Sequence, residues 1–259
     1  MQGRLSPIYR NRIQSFPWNN WKEEFQIANR LGINLMEWTI DSYKFHRNPI
    51  FTKKGREKVN LLKKKNKIKI ESLTADYFME KPFWKKSNQK NKKLQNNFWK
   101  LIKSCKILGI KKIVIPLVDG GSFKSEGEKL FLINYLNNEK QKIKKNSVKI
   151  IFETDMKPKD VIKFITQLDS RIFGINYDIG NSAGLGFKLE EEIKVFGKHI
   201  LNVHLKDKKK KGKTIKFGKG SANFKKLFFL LKKNKYKGNF IIQSARAKKN
   251  YNQVNEFLY

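Results

Sequence analysis

With 259 residues, 39% of them hydrophobic and 20 of them Phe, the chain has the size of one large α/β barrel or two small domains and enough apolar material for a sizeable core. Its single cysteine, Cys105, excludes an internal disulfide, no apolar stretch is long enough to span a bilayer, and no apolar h-region follows Met1, so the expectation is a cytoplasmic protein with no membrane partner. The formal net charge of +36 comes from 58 Lys and Arg against 22 Asp and Glu, but the excess is mostly lysine spread over the whole length among many Asn and Ile, as AT-rich coding produces; it reads as surface composition that attracts anions, with no specific nucleic-acid partner.

The first predicted strand is GRLS (residues 3–6). WKEEFQIANRLG comes next as an amphipathic helix with Trp21, Phe25, Ala28 and Leu31 on one face and a stop at Gly32. Strands are predicted next at residues 34–40 and 67–73. The lysine-rich stretch 81–93 reads as a loop or helix start, and NNFWKLIKSCKILG repeats the helical design up to Gly109. Four more strands are predicted at residues 111–118, 148–154, 173–179 and 200–206. A second lysine-rich stretch, 206–213, reads mainly as a solvated loop, and GKGSANF (218–224) as a turn with Ser221 or Asn223 capping the next helix. FKKLFFLLKKNKYKG ends that helix at Gly238, the eighth strand covers 240–245, and a weak helix, NYNQVNEFLY, closes the chain.

Eight strand–helix units in this length predict a (β/α)8 barrel with a parallel sheet. The alternative, a doubly wound open sheet, lacks a G-x-G-x-x-G after the first strand. No Pro/Gly/Ser-rich linker divides the chain, so residues 1–259 are read as a single domain.

Barrel chemistry sits where strands end and βα loops begin. Six polar residues fall near the ends of apolar strands: Glu37, Asp76, Glu153, Asp178, His204 and Gln243. Each alone has a plain explanation, such as a paired carboxylate, a turn-forming Asp or a satisfied core His. Together, Glu153, Asp178, His204 and the Gln243 amide on four successive strands form an N/O donor set that suits one divalent cation, with Mn, Mg, Co and Zn not distinguished.

The ordered motifs MQGRLSP…IQSFPW, GINLMEW, SLTADYFM, FETD, YDIGN, VHLKD and GNFIIQSAR resemble those of the xylose isomerase-like TIM barrels, the sugar phosphate isomerase/epimerase family, over nearly the whole chain. The resemblance implies a metal-dependent isomerase or epimerase acting on a small polyhydroxylated, anionic or neutral substrate. In epimerase-like members one metal is held by Glu, Asp, His and Glu. Glu153, Asp178 and His204 match three of these; Gln243 departs from the fourth. A Gln oxygen can coordinate but cannot act as a base, which leaves Glu153 to move a proton on one face through an enediolate. Lys206 or Glu37 would have to supply a second acid or base.

Lys206 and Arg246 end the last two predicted strands, where an anionic end of the substrate would lie. Glu37, Asp76 and Asn181 are further candidates for substrate hydroxyls, and Trp38, Tyr77 and Phe78 for the pocket wall. A dehydratase of a polyhydroxylated ketone and a non-catalytic barrel are the other readings. A trinuclear zinc nuclease is disfavoured, because only His46, His199 and His204 are present and only His204 falls at the functional end of a strand. The oligomeric state, including a homo-oligomer, is left open.

Overall fold

Seven parallel strands form a nearly closed barrel in the computed structural model, which describes residues 1–2, 5–12, 15–85 and 88–244. They are β1 (Leu35–Thr39), β2 (Lys69–Thr74), β3 (Lys112–Leu117), β4 (Lys149–Thr154), β5 (Phe173–Asp178), β6 (Ile200–Leu205) and β9 (Asn239–Ile242), each paired with its neighbour in that order. A separate antiparallel ribbon, β7 (Asp207–Lys208) with β8 (Thr214–Ile215), lies between β6 and β9 in sequence.

The seam between β9 and β1 is bridged by the first two residues. Gln2 N–H donates to Ile242 O (3.1 Å), and Glu37 N–H donates to Met1 O (2.8 Å). The first strand is expected at residues 3–6, but the pairing lies at Met1–Gln2, with Leu5 buried in the bend beyond it; residues 3 and 4 lie outside the described residues. The predicted last helix also lies outside them.

Helices pack around the sheet because each buries one stripe. On α1 (Glu23–Arg30) the stripe is Phe25 and Ala28, and on α9 (Phe224–Lys233) it is Leu227 and Leu231, spaced one helical turn apart. Between them lie α2 (Lys53–Lys65), α3 (Asp76–Glu80), α4 (Asn88–Leu108), α5 (Glu126–Lys145), α6 (Pro158–Ile165), α7 (Ile179–Leu185) and α8 (Leu189–Phe196). Side-chain caps start several of them: Thr52 on α2, Ser125 on α5, Asp178 on α7 and Asn223 on α9. Asn223, rather than Ser221, is therefore the cap after the glycine turn.

Two register irregularities shape the upper half of the barrel. Between Met36 and Glu37, strand β2 carries one extra residue, so Glu37 pairs with Ser72; between Ile175 and Asn176, strand β6 does the same, so Asn176 pairs with Asn202 and Asp178 with His204. A bulge re-aims every side chain beyond it. Both bulges lie between the start and the middle of their strands, and both bring polar residues of adjacent strands to the same inner face.

Candidate metal centre and cavity

The upper interior of the barrel is polar. A cavity of about 140 Å³ is lined by Asp76, Asp119, Glu153, Asn181, Lys206 and Lys208 among others. Glu153 comes from the end of β4, Asp178 from the end of β5 and His204 from β6. One donor atom from each of these three buried residues lies within 4.8 Å of the others. Two oxygens bound to opposite sides of a divalent ion are separated by about 4 Å, so the spacing is close to a ligand set.

Asp178 divides its two oxygens between tasks. Oδ1 accepts the Asn181 N–H at 2.9 Å and so caps α7. Oδ2 receives no aligned hydrogen bond, and Lys206 Nζ lies 2.5 Å from it as an ion pair. The turn into α7 depends on Gly180, because a Cβ there would stand 2.7 Å from the Lys206 carbonyl oxygen. Behind α7, Tyr177 O–H donates to Glu192 Oε2 at 2.7 Å, and Ser182 donates to the same carboxyl, tying β5, α7 and α8 together.

Glu153 Oε1 accepts from Asn181 Nδ2 at 2.6 Å, and Oε2 accepts from Asn176 Nδ2 at 3.0 Å. His204 Nδ1 lies 3.2 Å from the same Oε2 and 3.1 Å from Asn176 Nδ2. Burial pushes the Glu153 carboxyl up, but the His204 hydrogen bond and the Lys206 ammonium outweigh it and hold the group below the usual carboxylate range. Glu153 is thus ionised while facing the cavity.

His204 is fully enclosed. Its Nε2 lies 2.8 Å from Glu37 Oε1. Glu37 also accepts from Ser72 Oγ (2.7 Å), Thr74 Oγ1 (2.6 Å) and Asn202 Nδ2 (3.3 Å). Burial raises the Glu37 carboxyl, yet the nearby His204 charge and these hydrogen bonds bring it below its ordinary value. Desolvation opposes a charged His204, and the two carboxylates overcome it, raising the imidazole to about 10. A carboxylate on Nε2 fixes the ring with Nδ1 turned toward Glu153, and this nitrogen must give up its proton before it can hold a metal, so ion binding should release a proton.

Gln243, just past β9, donates from Nε2 to Gln2 Oε1 and accepts from Lys206 Nζ at 2.9 Å through Oε1. Glu153, Asp178, His204, Lys206 and Gln243 therefore form one connected cluster. Asp76 and Asn181 line the cavity beside it. Glu37 lies behind His204 and does not line the cavity. Trp38 and Phe78 lie in the aromatic core, with Trp38 Nε1 donating to Asn48 Oδ1 at 3.1 Å. Arg246 lies outside the described residues.

Asn176 and Asn202 are not among the residues expected at the site, although each stands two residues before a candidate ligand on the same strand. Alternation on a strand puts residues i and i+2 on one face, so the signal is present in INYD and LNVH. His46 sits in the short turn Phe45–Arg47 beside Lys100, and His199 in the turn Gly197–His199 that enters β6 from the opposite end. Neither joins His204. Among the described residues, Glu153, Asp178 and His204 are the one group of His, Cys, Asp and Glu placed to hold a metal.

The donor chemistry fits a divalent ion: two carboxylates, one imidazole oriented from behind, and an Asp178 oxygen with no aligned hydrogen bond. The lysines after Asp207 are mostly exposed, as a solvated loop requires, but Lys206 before it is not part of that surface. Lys206 is only 5% exposed and turns inward, and the ribbon β7–β8 frames the lysines beyond it. DNA binding driven by the remaining charge should be weak, indifferent to sequence and lost as salt rises, measured by fluorescence anisotropy across a salt series. Saturable, structure-selective binding at physiological salt would contradict this.

A family model described as xylose isomerase-like TIM barrel matches residues 25–259. No curated protein matches the chain. Similar solved structures include the 3-keto-D-glucoside 4-epimerase from E. coli in its apo form, with 15% identity, 94% of this chain and 97% of that one covered and a TM-score of 0.73. A D-psicose 3-epimerase with D-tagatose from Clostridium cellulolyticum H10 gives 13% identity, 90% and 81% coverage and a TM-score of 0.70. A xylose isomerase-like TIM barrel protein from Mycobacterium smegmatis in complex with magnesium gives 14% identity, 95% and 88% coverage and a TM-score of 0.71. At these identities the likeness is one of fold. No helix among the described residues is long and apolar enough to cross a membrane.

Proposed function

The chain belongs to the xylose isomerase-like TIM barrel family, and from that premise we propose that it is a metal-dependent sugar or sugar phosphate isomerase/epimerase, working through an enediolate with Glu153 as base. The observation that carries this reading is the convergence of Glu153, Asp178 and His204 within 4.8 Å, with Glu153 also lining the polar cavity. The neighbours add support at the level of class: two are named as epimerases, and one was solved in complex with magnesium.

Glu153, Asp178 and His204 would hold the ion, with Gln243 as the fourth corner. A divalent cation there supplies Lewis acidity that polarises a carbonyl and stabilises negative charge developing on its oxygen. The residues do the rest. Asp76 and Asn181 line the cavity and orient substrate hydroxyls. Glu153 removes the proton next to the carbonyl, and the electron pair moves into the carbonyl to give the enediolate. Return of that proton to the former carbonyl carbon, with the hydroxyl proton of the donor carbon passing to the former carbonyl oxygen, shifts the carbonyl along the chain. Lys206, with an N–H toward the cavity, is the nearest proton donor for the oxygens, and it would join Arg246 in holding an anionic end of the substrate. Glu37 acts only through His204, whose ring it fixes.

The test is proton exchange read by NMR. A panel of ketoses and ketose phosphates is incubated in D2O with Mn²⁺, using the parent, chelator-treated protein and His204→Ala. The parent should bind about one ion per chain, wash deuterium into the carbon beside the carbonyl and move the carbonyl. Both activities should disappear in the other two samples. Metal binding by His204→Ala equal to the parent's would show that the site is wrong. Loss of water from the substrate would place the chain among the dehydratases instead.

A further inference from the structure

One corner of the candidate centre is filled by the protein itself. The Lys206 ammonium lies 2.5 Å from Asp178 Oδ2 and donates to Gln243 Oε1 at 2.9 Å. Its position is built from three directions. Gln243 Nε2 is engaged by Gln2, which turns the amide oxygen toward Lys206. Asp178 Oδ1 is committed to capping α7, so Oδ2 is the oxygen left to meet a cation. Gly180 allows α7 to close against the Lys206 backbone. An ammonium with three N–H groups thus satisfies one carboxylate and one amide and keeps a donor for the cavity it lines.

Resting on the metal reading of this centre, we propose that Lys206 is an internal counter-cation that occupies the ion's place, so that a divalent metal enters by exchange and sends the ammonium into the cavity. A divalent ion on Asp178 Oδ2 would stand close to the ammonium that lies 2.5 Å from the same oxygen, and the repulsion between the two cations drives the ammonium away. The ion therefore binds only the fraction of molecules in which Lys206 has left, and its apparent affinity falls by that fraction. The released ammonium needs a new partner, and an oxygen or phosphate of the substrate in the cavity provides one. Metal and anionic substrate then favour each other, a coupling that must be reciprocal.

The neutral Gln243 belongs to the same device. Its amide oxygen receives the ammonium at 2.9 Å without adding negative charge, so ion and ammonium compete for the Asp178 carboxylate.

The experiment is isothermal titration of MnCl2 into chelator-treated full-length protein at fixed pH and salt, comparing the parent with Lys206→Met and Lys206→Arg. Lys206→Met should bind one Mn²⁺ at least about tenfold more tightly than the parent, because no ammonium competes for Asp178. Lys206→Arg keeps the charge and should stay close to the parent. His204→Ala added to Lys206→Met should remove the gain, which places the ion at this centre. Binding by Lys206→Met with no detectable binding by the parent would show that the ammonium blocks the site rather than exchanging with the ion, and would overturn both the exchange and the metal dependence of the parent. Equal or weaker binding by Lys206→Met overturns the exchange and leaves the metal reading standing. No binding by either protein overturns both. Should Lys206→Met fail to fold, Lys206→Gln carries the same comparison.

Discussion

Glu153→Gln should turn over at least about 10²-fold more slowly than the parent, because a general base typically contributes 10²–10⁴. The substitution keeps the size of the side chain and an oxygen for Asn181, which now donates to Glu153 Oε1 at 2.6 Å. What it removes is the charge that takes the substrate proton. Gln243 cannot substitute, since an amide does not ionise, and the Asp178 carboxylate is committed to Lys206 and to the cap of α7. With a substrate deuterated at the donor carbon, part of the label should move to the neighbouring carbon in the parent and the rest should wash into water. In Glu153→Gln both should fall together. Metal affinity must be measured alongside, so that a lost base is distinguished from a lost ligand. A variant that binds metal normally and retains more than about a tenth of the parent's kcat would remove Glu153 from the proton transfer. Inversion of one stereocentre with solvent protons, without movement of the carbonyl, would require a second base. Glu37 faces His204 rather than the cavity, whereas Lys206, Asp76 and Asp119 line it.

The barrel is legible in the sequence because its signal is repetitive. Each strand is a short β-branched run, most helices are apolar stripes ended by Gly or Asn, and seven of the predicted strands overlap the observed ones closely. The first strand is the exception. The seam is bridged by Met1 and Gln2, through one main-chain hydrogen bond to β9 and two to β1. Nothing in the composition of two residues marks them as a strand, whereas the buried Leu5 draws the expectation to residues 3–6.

The candidate site is legible in part for a different reason. Glu153, Asp178 and His204 are polar residues in apolar runs, and such residues need a cause. Periodicity gives their face but not their partners. The register shifts that bring Glu37 level with Ser72, and Asn176 level with Asn202, are set by pairing between strands far apart in sequence. Strand position alone therefore puts Glu37 among the substrate contacts, when its carboxylate in fact meets His204 from below. The inward turn of Lys206 is equally hidden, because it opens a run of lysines whose other members carry no buried contact of this kind. Only the Asp178 oxygen and the Gln243 amide, brought together by the barrel, distinguish it from its neighbours.

Glu37→Ala should cost the fold about 3–5 kcal/mol, the usual penalty for removing one member of a buried ion pair. Four groups lose their acceptor at once: His204 Nε2, Ser72 Oγ, Thr74 Oγ1 and Asn202 Nδ2. All lie inside the barrel, where water does not replace the lost bonds without opening the strands. Since Asn202 also donates to Asn176 Oδ1 at 2.8 Å, and Asn176 to Glu153, the loss runs up to the cavity floor. Urea unfolding should show the midpoint displaced accordingly, and the melting temperature should fall on the order of 10 °C for a chain of this size. Glu37→Gln separates support from orientation. Its amide oxygen still accepts from the hydroxyls, so the fold should be largely kept, but the charge that fixes the His204 ring is gone. Divalent-ion affinity should then weaken by about 10–100-fold, as it does when the group behind a metal-binding His is altered. If Glu37→Ala unfolds within about 1 kcal/mol of the parent, the polar ladder beneath the cavity is not what holds the barrel interior, and the orientation of His204 must come from packing alone.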